Sequence, residues 1–298
     1  MTTVEALIGH RSLLTPGRGS RGRKVRNVAA TMLITLAFLV ALVPIVAVVM
    51  YVFERGADQL SWAFLTDPIP IDRAVGPGMG PAVVGTFLIT GAAALMAIPV
   101  GILGGIYLNE YGGKNWLSRF IGFMADVMTG VPSIVMGLFI FSIWVLHFGF
   151  SGLAGAFALG CLMLPVVIRS TDEMLKVVPD SLREGSYALG ATKARVTLTV
   201  VVPAALGGIV SGALLAVARA AGETAPLLFT ILTVTTANPN LFTGANTSLP
   251  SQIFVNASAP YAGAQGRGWG AALTLIAIAF ILMIAARLVT ARFARYAR

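Results

Sequence analysis

Charge is what this chain has least of. Of its 298 residues only 11% are Asp, Glu, Lys or Arg, against 57% apolar; a soluble domain carries about 25% charged residues. So little charge cannot cover a water-soluble globule of this size, which excludes most cytosolic enzymes and points to lipid as the solvent. A single cysteine, Cys161, excludes disulfide frameworks and cysteine-based zinc sites. The two histidines, His10 and His147, lie far apart, so no metal cluster is expected. No G-x-x-x-x-G-K-[ST] loop and no Ser–His–Asp pattern occurs, so neither ATP hydrolysis nor covalent catalysis is encoded. Uphill movement of a solute would have to draw on an ion gradient or on another subunit.

What the chain does have is long apolar runs. Charge-free stretches near 20 residues predict six membrane spans, at about 28–53, 81–108, 127–148, 152–168, 203–221 and 269–286. The boundary between the third and fourth carries no charge and is the least defined. Residues 1–27 form a basic tail, but the apolar run behind them is too long for a signal-peptide core, so it reads as a retained span. Lys and Arg then set an orientation. With the N-terminus inside, 17 basic residues fall on cytoplasmic segments, including a short C-terminal tail, 291–298. Arg55, Arg73 and Arg267 fall outside, and Arg219 lies within a span. The formal net charge of +9 is therefore a topology signal, and no nucleic-acid partner is expected.

The loop between Arg169 and Val202 mixes charge signs and carries helix punctuation. Ser181-Leu-Arg-Glu184 fits a capping box, Gly190 a left-handed C-cap, and Thr192 a second N-cap, with Pro203 interrupting that second helix. On helix physics alone this is an amphipathic connector or a docking element. The stretch from Thr224 to Gln265 has no charge yet is too interrupted to span, so it is expected to pack against protein. Its Asn-x-Ser triplets at Asn246 and Asn256 are weak signals. Glycine pairs Gly101/Gly105 and Gly208/Gly212 suit close helix packing without naming a partner.

Arg219 is sixteen residues beyond Pro203, with Glu223 one turn further on. A charge in a span faces a bundle interior or an aqueous path. Arg219 and Glu223 share a face and can pair; the pair is either structural or a tuned cation for an anionic substrate, since the arginine fork suits oxyanions. Arg169 reads as an interfacial residue that snorkels, with Asp172 and Glu173 competing for it. Asp126, at the expected start of the third span, reads as a helix cap.

The spacing Glu184-Gly-Ser-x3-Gly190-x9-Val200-x-Val202-Pro203 resembles the EAA loop of ABC-importer permeases, with Gly185 and Ser186 in place of the alanines. Five further blocks are similar to phosphate-specific permeases. They are Gly80 to Thr86, Tyr107 to Tyr111, Asp126 to Ser133, Pro165 to Arg169 and Ala218 to Pro226. Leu249-Pro-Ser-Gln-Ile253 favours the PstA type over its PstC-type sister. The resemblance spans about 28–290.

It implies an all-α integral membrane protein, a six-helix bundle of the type I ABC importer permease kind with a cytoplasmic coupling helix. The chain itself would bind no cofactor, ATP and Mg being used by a partner ATPase. Glu184, Gly185, Ser186, Gly190 and Pro203 would belong to the ATPase-coupling loop. Arg219 and Arg169 would be basic residues of a phosphate route, with Glu223 tuning Arg219. Implied partners are a PstC-type permease, two copies of a PstB-type ATPase, a PstS-type binding protein and membrane lipid. The location would be a bacterial inner membrane with both termini cytoplasmic. A permease for another oxyanion or phosphonate, and an ion-driven transporter, remain the alternatives; the second leaves the Glu184–Pro203 spacing unexplained.

Overall fold

A computed structural model describes residues 20–71, 76–113 and 115–294, and every regular element among them is helical. Five helices are long and apolar enough to cross a membrane, or six if one bent pair counts as a single span. The described residues form two bodies. One is α1, Ser20–Gly56, as far as Tyr51; its side chains from Gly22 to Tyr51 are exposed and mostly apolar, as lipid contact requires. The other begins at Val52, and everything below lies within it.

Ser61 caps the short α2, Trp62–Thr66, accepting from the Phe64 N–H at 3.0 Å. The next helix, α3, is Gly80–Ile106, and carries Pro81 in its first turn, where a missing N–H leaves no bond unmade. It ends in a π-helical turn, Tyr107–Tyr111. In place of one helix over 127–148 there are two, α4 at Trp116–Gly130 and α5 at Ser133–Ile140, bent by 106°. The cause is Pro132, which forces the residue before it out of helical geometry; Val131 sits at ψ 127°. A second π turn, Phe141–Val145, leads into α6, Leu146–Phe148.

From its Ser151 cap, α7 runs Gly152–Lys176, well past the expected stop at Arg169. Arg169, Asp172 and Lys176 recur at helical spacing and offset one another's charge, so they extend the helix rather than end it. The first helix of the Arg169–Val202 loop after α7, α8, is Asp180–Ala188. Its N-cap is Pro179 with no side-chain cap, so the capping box expected at Ser181 does not form; Arg183 bonds Asp180 instead, at 3.0 Å. Gly190 closes it at φ +80°, a conformation glycine adopts without strain. Thr192 caps α9, Lys193–Val196, which passes through a π turn, Thr197–Val201, into α10, Val202–Ala221. Pro203 therefore does not interrupt this helix. The wider turn just before it gives its ring room. The chain closes with α11, Ala225–Thr230, α12, Leu249–Ala257, and α13, Ala262–Ala294.

Both glycine pairs meet the same helix. A β-carbon at Gly101 or Gly105 would lie 2.7 Å from Val167 or 2.6 Å from Thr171; one at Gly208 or Gly212 would lie 2.3 Å from Met174 or 2.5 Å from Ser170. The central element, α7, is thus gripped by α3 and α10, and Ile89, Ala93, Leu159, Met163 and Ala220 complete the packing with Leu227 and Ile231. Small residues at these contacts suit lipid, where helices associate through close packing rather than water exclusion.

The charge-free segment packs on protein, as expected. Leu249 donates its N–H to Thr86 Oγ1 at 2.8 Å, Leu153 to the Leu241 carbonyl at 2.7 Å, and Ser151 to the Thr230 carbonyl at 3.2 Å. Asn246 and Asn256, at 1% and 4% exposed, are interior hydrogen-bonding residues with no room for a glycan. Arg267, expected in an external loop, lies in α13 at 1% exposure and donates to the Gly76 carbonyl at 2.9 Å. The polar segment meets α3 at Thr86 and α8 meets the π turn beyond its end at Glu110, about 36 Å away at 1.5 Å per residue.

Candidate functional site

Two adjoining cavities open beside α7, and each holds one of the two arginines picked out above. The first, about 220 Å³, is lined by Arg219 and Glu223, by Leu162, Pro165 and Val166 of α7, and by the α4–α5 corner from Met128 to Ser133. The second, about 670 Å³ and more open, is lined by Arg169, Asp126, Ser170 and Glu173; it shares Thr129, Pro165 and Val166 with the first. Pro165 lines both cavities. It gives the Cys161 carbonyl no helical N–H, and both cavities meet at its level.

Arg219 and Glu223 share the first cavity but make no ion pair. Among the described residues the Arg219 guanidinium has no hydrogen-bond or ionic partner, so the expected pairing is absent in this conformation. The 106° corner brings a further positive element. Because Val131, Pro132 and Ser133 line the cavity, it is bordered by the N-terminus of α5, where the first N–H groups lack partners within the helix. The span reading at 127–148 concealed this; the Gly130-Val131-Pro132 sequence was the available sign.

Arg169 does more than snorkel. Its Nη2 donates to the Gly122 carbonyl at 2.8 Å and pairs with Asp126, both on α4. Asp126 lies eleven residues into that helix, so it is Arg169's partner and not a cap. Asp172 stands 3.9 Å from Nη1, and Arg169 Nε is enclosed without a hydrogen-bond partner. Asp172 is itself held by Lys176 at 2.6 Å and by Asn109 Nδ2 at 3.4 Å.

The third functional element is α8. Glu184 and Gly185 are exposed, and Leu182, Tyr187 and Leu189 present 47%, 41% and 89% of their surface. Ser186 is half-buried and bonds back to the Leu182 carbonyl at 2.8 Å. What fixes this helix to the bundle is Arg183, which sequence reasoning passed over. Its guanidinium donates to Glu110 Oε1 at 2.9 and 3.3 Å. It also donates to the Leu175 and Val178 carbonyls at the end of α7, at 2.9 and 2.6 Å. Lys193 lies 5.2 Å above the Tyr111 ring, a second tie to the same π turn. The signal was present in Glu110, an acid placed between two apolar spans.

Membrane-length helices, cavities lined by arginine within the bundle and an exposed helical hook at one end define the membrane-spanning component of a transporter. The chain belongs to the family of binding-protein-dependent transport system inner membrane components, whose family model matches residues 97–295. Among its relatives is the phosphate transport system permease protein PstA 1 of Mycobacterium tuberculosis, 41% identical over 273 residues, covering 90% of this chain and 89% of the relative. PstA of Yersinia pestis is 40% identical over 271 residues, covering 91% and 92%. A MetNI methionine ABC transporter in inward-facing conformations shares the fold at a TM-score of 0.58 and 17% identity, covering 71% of this chain and 94% of that one.

Proposed function

We propose that this chain is the PstA-type permease subunit of an ATP-driven importer that moves inorganic phosphate across the bacterial inner membrane by alternating access. It pairs with a PstC-type permease, rests on two PstB-type ATPase subunits and receives phosphate from a PstS-type binding protein. Both termini face the cytoplasm, in keeping with the distribution of Lys and Arg. ATP and Mg are used by the ATPase, and α8 carries its movement to the bundle.

The observation that carries this reading is Arg219, unpaired among the described residues, in a cavity bordered by the α5 N-terminus. An anion leaving water for a membrane interior must have its lost hydration replaced. A bidentate guanidinium and free helix N–H groups do that for a tetrahedral oxyanion without enclosing it, and release is as necessary as capture. Glu223, on the same wall, keeps the site from holding an anion too tightly.

The test is phosphate uptake by the complete reconstituted complex carrying Arg219→Gln. Uptake falls at least tenfold while all subunits still co-purify. Normal uptake removes Arg219 from the route. Loss of sulfate or phosphonate uptake with phosphate uptake unaffected shows that the substrate is a different oxyanion.

A further inference from the structure

We infer that Asp126 is a gate: its carboxylate occupies Arg169 in place of the substrate, and phosphate passes Arg169 only when Asp126 lets go. This rests on the phosphate-route reading above and adds to it the residue that closes the route.

Electrostatics sets the problem. The Arg169 cavity holds one cation against two carboxylates, Asp126 and Glu173, so as it stands it repels anions. The Arg219 cavity directly beside it has a matched pair of charges and adds the N-terminus of α5. A phosphate moving from the Arg219 cavity to the Arg169 cavity meets a cation already taken. Asp126 is the removable member of that arrangement. Its side chain is 66% exposed, whereas Asp172, the other carboxylate near Arg169, is 6% exposed and tied to Lys176 and Asn109. Exposed pairs exchange partners readily. Once Asp126 leaves, Asp172 still holds the guanidinium in place. Nη2, released by Asp126, and Nη1, which stands 3.9 Å from Asp172, are then the donors available to an oxyanion.

Asp126 also sits where it can move. It lies on α4 one turn before the Val131-Pro132 corner, and that corner lets α4 swing without dragging α5. The drive reaches it through the π turn 107–111. Two adjacent residues there, Asn109 and Glu110, hold Asp172 and Arg183 respectively, so displacement of α8 is felt at the partner of Arg169.

The experiment uses the complete complex in proteoliposomes with its binding protein, inorganic phosphate as the probe, and Asp126→Asn, Asp126→Glu and Arg169→Gln. ATP hydrolysis and phosphate uptake are measured together. Asp126→Asn assembles, hydrolyses ATP at least threefold faster without phosphate and moves at least threefold less phosphate per ATP; Asp126→Glu restores coupling. Wild-type coupling in Asp126→Asn overturns the gate, and so does loss of assembly in both Asp126 variants, which makes the residue a structural pin. Arg169→Gln separates the two levels. If it transports normally, Arg169 is off the route and the reading beneath the gate fails. If it is inactive while Asp126→Asn stays coupled, only the gate fails.

Discussion

Replacing Arg183 by methionine keeps the length and apolar stem of the side chain and removes its charge and every donor. The structure sets the size of the effect. Glu110 and Arg183 are 5% and 14% exposed, and the guanidinium bonds Glu110, Asp180 and the carbonyls of Leu175 and Val178. Removing one partner of a buried ion pair costs about 3–5 kcal/mol, because the remaining charge is left enclosed. Here the penalty falls on the docking of α8, since only that helix carries the lost donors. Three kcal/mol is roughly a 150-fold change in an equilibrium. Amide hydrogen exchange of Ser181 to Ala188 in the detergent-solubilised complex therefore accelerates by about two orders of magnitude, while exchange along α3 and α7 is unchanged. The ATPase recovered with the permease falls in parallel. The double variant Glu110→Gln/Arg183→Met recovers part of the loss, because no buried charge is left alone. Unchanged exchange in the single variant refutes the latch, and a double variant as impaired as the single one refutes the ion-pair explanation.

Two further changes test the two ends of α3. Glu184→Lys reverses an exposed charge on α8 without touching the Arg183 latch; co-purification of the ATPase drops several-fold, while amide exchange within α8 stays as in the unmodified protein. Thr86→Val leaves the buried Leu249 N–H without its 2.8 Å acceptor. The polar segment is then destabilised by about 1–3 kcal/mol, read as a lower unfolding temperature and faster proteolysis between Thr235 and Ser248, with ATPase attachment unaffected.

Much of the membrane architecture was legible because hydropathy is additive along the chain. The spans at 81–108 and 269–286 needed only their own residues; α3 with the π turn that follows it contains the first, and α13 the second. Exceptions fell where a local rule met a neighbour. Pro132 was hidden inside an apolar run, so the 106° bend within that stretch was not foreseen. Pro203 reads as a breaker alone, but the π turn before it absorbs the ring. Asp126 reads as a cap by position and is a partner by tertiary contact, a pairing across 43 residues that no periodicity signals. Arg219 and Arg169 stood out because charge is so rare in the spans. Arg183 was missed because it lies in a loop already rich in charge, where burial cannot be read from composition.

Scarcity of charge also explains why the two arginines stand in such different states. A cation that remains free in a membrane interior attracts anions strongly, and two free cations in adjoining cavities would hold phosphate rather than pass it on. Two fully paired cations would offer nothing against the loss of hydration. Among the described residues the structure has one of each: Arg219 without a partner, Arg169 held by Asp126 with Asp172 in reserve. On the proposed route the first receives and the second withholds. On that proposal directionality depends on Asp126, Asp172, Asn109, Glu110 and Arg183, which link the withheld cation to α8. Nothing comparable ties Arg219 to α8 among the described residues, so on the proposed route α8 would act on release and leave capture alone.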